Sequence, residues 1–133
     1  MPGLKSGDLS GRTILIIDDN EEVLISLEKY LGALGVQVTT TTSGSTGLQL
    51  LETKPFDLLI LDIMMPPPDG WDIFLRVRHT QKLEKLPVVF LTALVTTAQA
   101  DFLNKGYSQY CRIVTKGKPL QHLITAVKSL LDD

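Results

Sequence analysis

The chain has 133 residues, room for one domain of ordinary size but not for two independent cores. Hydrophobic residues make up 44% and charged residues 21%, which excludes a mostly disordered or fibrous chain. Thirteen basic against fifteen acidic residues leave a net charge of −2, with no basic excess to drive direct nucleic-acid binding.

Residues 1–11 carry three glycines and no apolar signal-peptide core, and read as a flexible N-terminal lead. Residues 12–131 read as the folded domain. The first apolar run, Ile14-Leu15-Ile16-Ile17, does not alternate with polar residues and fits a strand buried on both faces. Leu24, Leu27, Leu31 and Leu34 then recur at helical spacing, with Glu21 and Glu22 in the first turn and Gly35 to close the end. Val36, Val38 and the following threonines form a further strand, nearer an edge. Residues 43–53 read as a weaker helix, with Gly44 and Gly47 counting against it. Asp57 precedes the run Leu58-Leu59-Ile60-Leu61 and reads as a solvated charge.

Pro66-Pro67-Pro68 is too short for a linker. Trp71, Phe74 and Val77 mark a third helix with Asp69 as its N-cap, and Trp71 reads as core. His79 and His122 read as surface residues. Val88-Val89-Phe90-Leu91 forms the next strand, and Val95, Ala98 and Phe102 suggest a fourth helix. Cys111, the lone cysteine, excludes an internal disulfide, reads as a packed residue and points to a reducing, cytoplasmic setting. The weak run Ile113-Val114 and the stripe Leu123, Ile124, Val127, Leu130, Leu131 complete the pattern. No apolar run approaches the roughly 20 residues that cross a bilayer.

Five β-α units in sequence require a parallel sheet with helices on both faces. The expected fold is α/β: a flavodoxin-like, doubly wound five-stranded parallel sheet in the order 2-1-3-4-5, with five helices. Sites in such sheets form outside the carboxyl ends of the strands. Those ends hold Asp18-Asp19, Asp62, Thr92-Ala93 and Lys116. Three carboxylates brought close repel one another unless a cation joins them, and hard oxygen donors suit Mg²⁺. A lysine and a threonine hydroxyl beside them can take phosphoryl oxygens. The parts suit phosphoryl transfer.

At this point the chain resembles a known family. Ile14-Leu-Ile-Ile-Asp18-Asp19-Asn20, Leu61-Asp62-Ile-Met-Met-Pro66, Asp69-Gly70, Phe90-Leu-Thr92-Ala93 and Thr115-Lys116 together resemble the receiver domain of two-component response regulators, from about Arg12 to Leu131. The resemblance implies Asp62 as phosphoacceptor, attacking a phosphohistidine on a sensor histidine kinase or a histidine phosphotransfer protein. It implies Mg²⁺ held by Asp18, Asp19, Asp62 and the backbone carbonyl of Met64. Thr92 would move toward the new phosphoryl group, Lys116 would pair with it, and a downstream effector would read the change. The domain would act as a switch that catalyses its own phosphoryl transfer and loss rather than as a turnover enzyme.

Several positions depart from the family pattern. Lys118, followed by Pro119, competes with Lys116 for the lysine role, but Lys116 ends the apolar run directly and is favoured. A cis bond after Lys116 is then not expected, whereas Lys118-Pro119 can still be cis. The segment from Gly106 to Lys116 is about three residues longer than usual for the family. The position of the aromatic switch residue holds Ile113, with Tyr110 as a substitute. Met64 and Leu94, two residues after Asp62 and Thr92, are apolar and cannot orient a hydrolytic water, which predicts a long-lived phosphoryl group.

A homodimer through helices four and five is open, without a residue pattern to support it. A degenerate, unphosphorylated interaction module is the alternative function. A flavin-binding protein lacks its phosphate cradle here, and a haloacid-dehalogenase-type phosphatase would need an Asp where Asn20 stands.

Overall fold

In the computed structural model, which describes residues 9–93, 97–98, 101 and 108–131, each apolar run becomes a strand of one sheet. The strands are β1 (Thr13–Ile17), β2 (Gln37–Thr41), β3 (Leu58–Leu61), β4 (Val88–Thr92) and β5 (Cys111–Thr115). Between them lie α1 (Glu21–Ala33), α2 (Gly44–Thr53) and α3 (Gly70–Arg78), and α4 (Leu120–Leu131) follows β5. Short 3-10 turns span Gln81–Leu83 and Ser108–Tyr110. All pairings are parallel and the order is β2-β1-β3-β4-β5, as expected from the sequence. The helix expected around Val95, Ala98 and Phe102 falls almost wholly outside the described residues, which show helical backbone only at Thr97, Ala98 and Asp101 there. Leu94, Gly106 and Tyr107 also lie outside them.

Alternate residues of the same strands build two separate cores. Ile14, Ile16, Leu58, Ile60, Val89, Leu91 and Val114 face Leu24, Leu27 and Leu31 of α1 and Leu123, Ile124 and Val127 of α4. Leu15, Ile17, Leu59, Leu61, Val88 and Phe90 face Leu51 of α2 and Ile73, Phe74 and Val77 of α3. Each fully buried Leu, Ile or Phe contributes roughly 1.5–3 kcal/mol of burial. Burial on both faces is why the runs show no polar alternation. β2 sits at an edge and is only half-buried, which its threonines tolerate. Gly35, at φ +88°, closes the turn after α1, and its N–H donates to the Gly32 carbonyl.

Four readings change. Leu9, placed in the lead by sequence, is buried against the α1 and α4 core, and the Gly11 N–H donates to the Gly35 carbonyl. Gly44 and Gly47 do not weaken α2 but let it approach: a Cβ at Gly47 would lie 2.3 Å from Ile17 Cδ1, and one at Gly44 2.4 Å from the Pro68 carbonyl oxygen. Asp57 is not a solvated charge. Its Oδ2 accepts from the Thr13 N–H (2.8 Å) and hydroxyl (3.1 Å), while its own N–H donates to the Thr13 carbonyl (2.8 Å). The cis peptide among the described residues is Pro67–Pro68, so Lys118–Pro119 is trans.

Other expectations stand. Trp71 stacks on Phe74 at 5.6 Å, His79 and His122 are exposed, and Cys111 is buried at the start of β5.

Candidate functional site

The ladder hydrogen bonds run one residue past the strands and bring their ends level. Asp18 N–H donates to the Thr41 carbonyl, Asp62 N–H to the Ile17 carbonyl, and Lys116 N–H to the Thr92 carbonyl. Asp18, Asp62 and Thr92 are thereby carried to one edge of the sheet, and only 2%, 3% and 1% of their respective surfaces stay exposed. Asp19 lies beside them, exposed. One carboxylate oxygen from each of Asp18, Asp19 and Asp62 falls within 4.8 Å of the others.

Lys116 closes the cluster. Its Nζ lies 2.8 Å from Asp18 Oδ2 and 3.1 Å from Asp62 Oδ2. Gly117, at φ +91°, turns the chain so that Lys116 points inward while Lys118 is exposed. The two lysines that sequence left in competition are therefore separated by one glycine turn. The other carboxylate oxygens take backbone donors: Asn20 N–H to Asp18 Oδ1 (2.9 Å) and Met64 N–H to Asp62 Oδ1 (3.2 Å).

Burial pushes the Asp18 carboxyl above its ordinary range, and the charge of Asp62 adds to this, while Lys116 and the Asn20 N–H oppose it. For Lys116 burial disfavours the ammonium, but the hydrogen bonds and charges of Asp18 and Asp62 prevail and hold it above its ordinary value. The two directions agree physically. Burial keeps the Asp18 carboxyl raised despite the lysine, while two carboxylates together hold the lysine's proton. Such a site has negative charge to spare and hard oxygen donors to offer, which fits a divalent cation with few protein ligands. Asp18, Asp19 and Asp62 are the side chains that could hold it.

Neither switch candidate joins this cluster. Ile113 pairs with Phe90 in mid-β5 and is partly exposed. Tyr110 ends the 3-10 turn at the opposite end of β5, where its carbonyl accepts from Arg78 Nη2 (2.9 Å). Met64 keeps 57% of its surface exposed beside the cluster.

Three residues have structural roles that the sequence reading did not assign, one of them, Arg78, at the opposite end of the sheet. Asn20 caps α1, its Oδ1 accepting from the Glu22 and Val23 N–H groups, while its own N–H fixes Asp18. An Asn before two first-turn glutamates was the available signal. Arg78 is buried, donates to the Leu86 and Tyr110 carbonyls, and lies 4.8 Å over the Phe74 ring. Nothing local marks its burial, because the carbonyls it bonds are 8 and 32 residues away. Gly70 was noted only as part of a motif.

A family model, the response regulator receiver domain, matches residues 14–128. The chain belongs to that family. The transcriptional regulatory protein GltR of Pseudomonas aeruginosa is 34% identical over 125 residues, covering 92% of this chain and 50% of GltR. The receiver domain spans about half the length of the curated relatives it matches. Among solved structures, the N-terminal domain of a response regulator receiver protein from Methanoculleus marisnigri is 31% identical with a TM-score of 0.72, covering 92% of this chain and 98% of that one. The response regulator TrrA of Thermotoga maritima, solved in complex with Mg²⁺–BeF, is 26% identical with a TM-score of 0.74, covering 90% and 99%. Among the described residues, no helix of the receiver domain is long and apolar enough to cross a membrane.

Proposed function

We propose that this receiver domain is a phosphorylation-dependent switch in which Asp62 accepts a phosphoryl group from a phosphohistidine on a sensor histidine kinase or histidine phosphotransfer protein. The observation that carries the reading is the setting of Asp62: nearly buried, one oxygen held by the Met64 N–H, the other by Lys116, with two further acids alongside. In the transfer, a carboxylate oxygen of Asp62 forms the new O–P bond while the P–N bond to the imidazole breaks. The bonding pair leaves with the ring nitrogen. Lys116 takes one phosphoryl oxygen as a point charge and the Thr92 hydroxyl donates to another.

Asp18, Asp19 and Asp62, with the Met64 carbonyl, would hold Mg²⁺, Asp19 directly and Asp18 through water. Bound there, Mg²⁺ would supply the neutralisation that lets an anionic carboxylate meet an anionic phosphoryl group. The all-oxygen donor set supports this choice, as does the Mg²⁺–BeF complex of a 26% identical relative.

Phosphorylation draws Thr92 inward and shifts a two-state equilibrium that an effector reads. Ile113 is the better switch position, since it lies in the strand whose last residue, Thr115, pairs with Thr92. Tyr110 is anchored by Arg78 at the far end.

Incubation with an acyl phosphate and Mg²⁺ tests the reading by intact mass. A one-phosphoryl gain that vanishes in Asp62→Asn is expected. No gain, or a gain that survives the substitution, refutes it. With apolar Met64 beside the acceptor, loss of the group should take minutes or longer, and loss within seconds would contradict that expectation.

A further inference from the structure

α3 begins at Gly70, and its first turn lies directly on the peptide that follows the proposed acceptor. A Cβ built on Gly70 would lie 1.9 Å from the Asp62 carbonyl oxygen, 2.6 Å from the Asp62 carbonyl carbon and 2.7 Å from Ile63 Cα. All three are backbone atoms, so no side-chain rotation relieves the overlap. The Gly70 N–H donates to the Ile63 carbonyl at 3.1 Å, which fastens the helix to the same peptide.

Neither partner of this contact is free to retreat. α3 is seated by Ile73, Phe74 and Val77, none with any exposed surface, and its start is fixed by the reciprocal bonds of Asp69 and Asp72. β3 is bonded on both sides, to β1 and to β4. A side chain at position 70 would therefore displace the piece between them, the 62–63 peptide. That peptide leads to the Met64 N–H, which holds Asp62 Oδ1.

We infer that Gly70 is a positioning residue for phosphoryl acceptance: the missing Cβ lets α3 press the 62–64 backbone into the shape that aims the Asp62 carboxylate and presents the Met64 backbone to the cation. This rests on the reading of Asp62 given above. It differs from the contact of Gly47, where a Cβ would meet side chains and no backbone: Ile17 Cδ1 and Cγ1 at 2.3 and 2.9 Å and Thr41 Cγ2 at 3.6 Å. Both glycines permit close packing, but only one is packed against the acceptor's own main chain.

The test compares Gly70→Ala with Gly47→Ala, each at a temperature where circular dichroism shows it fully folded. Phosphorylation by an acyl phosphate is followed by mass, and Mg²⁺ alone is titrated against the fluorescence of Trp71, the only tryptophan. Gly70→Ala should lose at least tenfold in both phosphorylation rate and Mg²⁺ affinity. Gly47→Ala should keep both within twofold, even where its thermal midpoint falls further.

If wild type gains no phosphoryl group, the reading of Asp62 fails and the Mg²⁺ titration alone judges Gly70. If wild type is phosphorylated and Gly70→Ala matches it, or loses no more than Gly47→Ala, only the Gly70 inference falls. Should Gly70→Ala not fold, Gly70→Ala with Ile73→Val, which trims the seat of α3, takes its place. Recovery of fold with the tenfold losses supports the inference. Recovery of fold with wild-type rates, or failure of both variants to fold, makes Gly70 a general packing residue and overturns it.

Discussion

β3 carries an aspartate at each end, and the two could hardly be used more differently. Asp57, at the start, takes two hydrogen bonds from Thr13 and returns one from its own N–H. Asp62, at the finish, shares one lysine with Asp18 and lies beside a third acid. The first is held through one carboxylate oxygen by two neutral donors and has no second acid recorded beside it among the described residues. The second sits where negative charge outnumbers positive, so it gains from a cation that restores the balance. On the proposed reading, the reactivity of Asp62 would come from crowding of like charges at one edge of the sheet, not from the residue type.

Substitution can break or sharpen this contrast. Asp62→Asn should abolish phosphoryl uptake measured by mass while the far-UV circular dichroism stays that of the folded chain. Lys116→Met comes next, with transfer about a hundredfold slower or more, as for loss of one preorganised donor. It should also cost about 1–2 kcal/mol in denaturant unfolding, the lower part of the range for a charged hydrogen bond, because a quarter of the side chain is exposed.

Asp57→Ala should show the reverse. Stability falls by about 1–3 kcal/mol because the Thr13 N–H loses its partner, yet uptake per folded molecule is unchanged. A fall in uptake as large as that of Lys116→Met would show that the two ends are not separate.

The smallest effect at neutral pH concerns Cys111, also at the starting end of the sheet. Burial pushes its thiol from 9.0 up to about 12. Because the folded value lies above the unfolded one, the stability linked to it is complete below pH 9 and drains away as the pH climbs toward 12. Denaturation midpoints should therefore drift down across that window, and less so in Cys111→Ser. Alkylation of the native thiol at pH 8 should be much slower than in denaturant. Equal rates would mean that this end of the sheet is wet.

The sequence displayed most of the fold because doubly buried strands and one-sided helices leave opposite patterns: Leu58-Leu59-Ile60-Leu61 is continuous, while Leu24, Leu27 and Leu31 are spaced. The acids of the site were legible because they sit directly after those strands. What stayed hidden depends on neighbours far along the chain. Asp57 looks solvated until Thr13 is placed beside it, 44 residues away in sequence. Gly44 and Gly47 count as helix breakers until α2 is laid on Ile17 and Pro68. Arg78 looks like an ordinary exposed cation until the Tyr110 carbonyl arrives from 32 residues on. Helix propensity and strand pattern are local quantities, and these contacts are not.

Strands greasy on both sides have a weakness: no polar stripe distinguishes one alignment from the next. Sliding β3 along β1 by a single step, about 3.3 Å, would still set leucine or isoleucine against both cores. It would also pull Asp62 out of line with Asp18, beyond the joint reach of one ammonium group. The Thr13–Asp57 pair disfavours that slip, since a shifted strand would strand an amide and a carboxylate together. Asp57 thus works as an alignment mark, and the arrangement of charges at one edge is indexed by a threonine and an acid at the other.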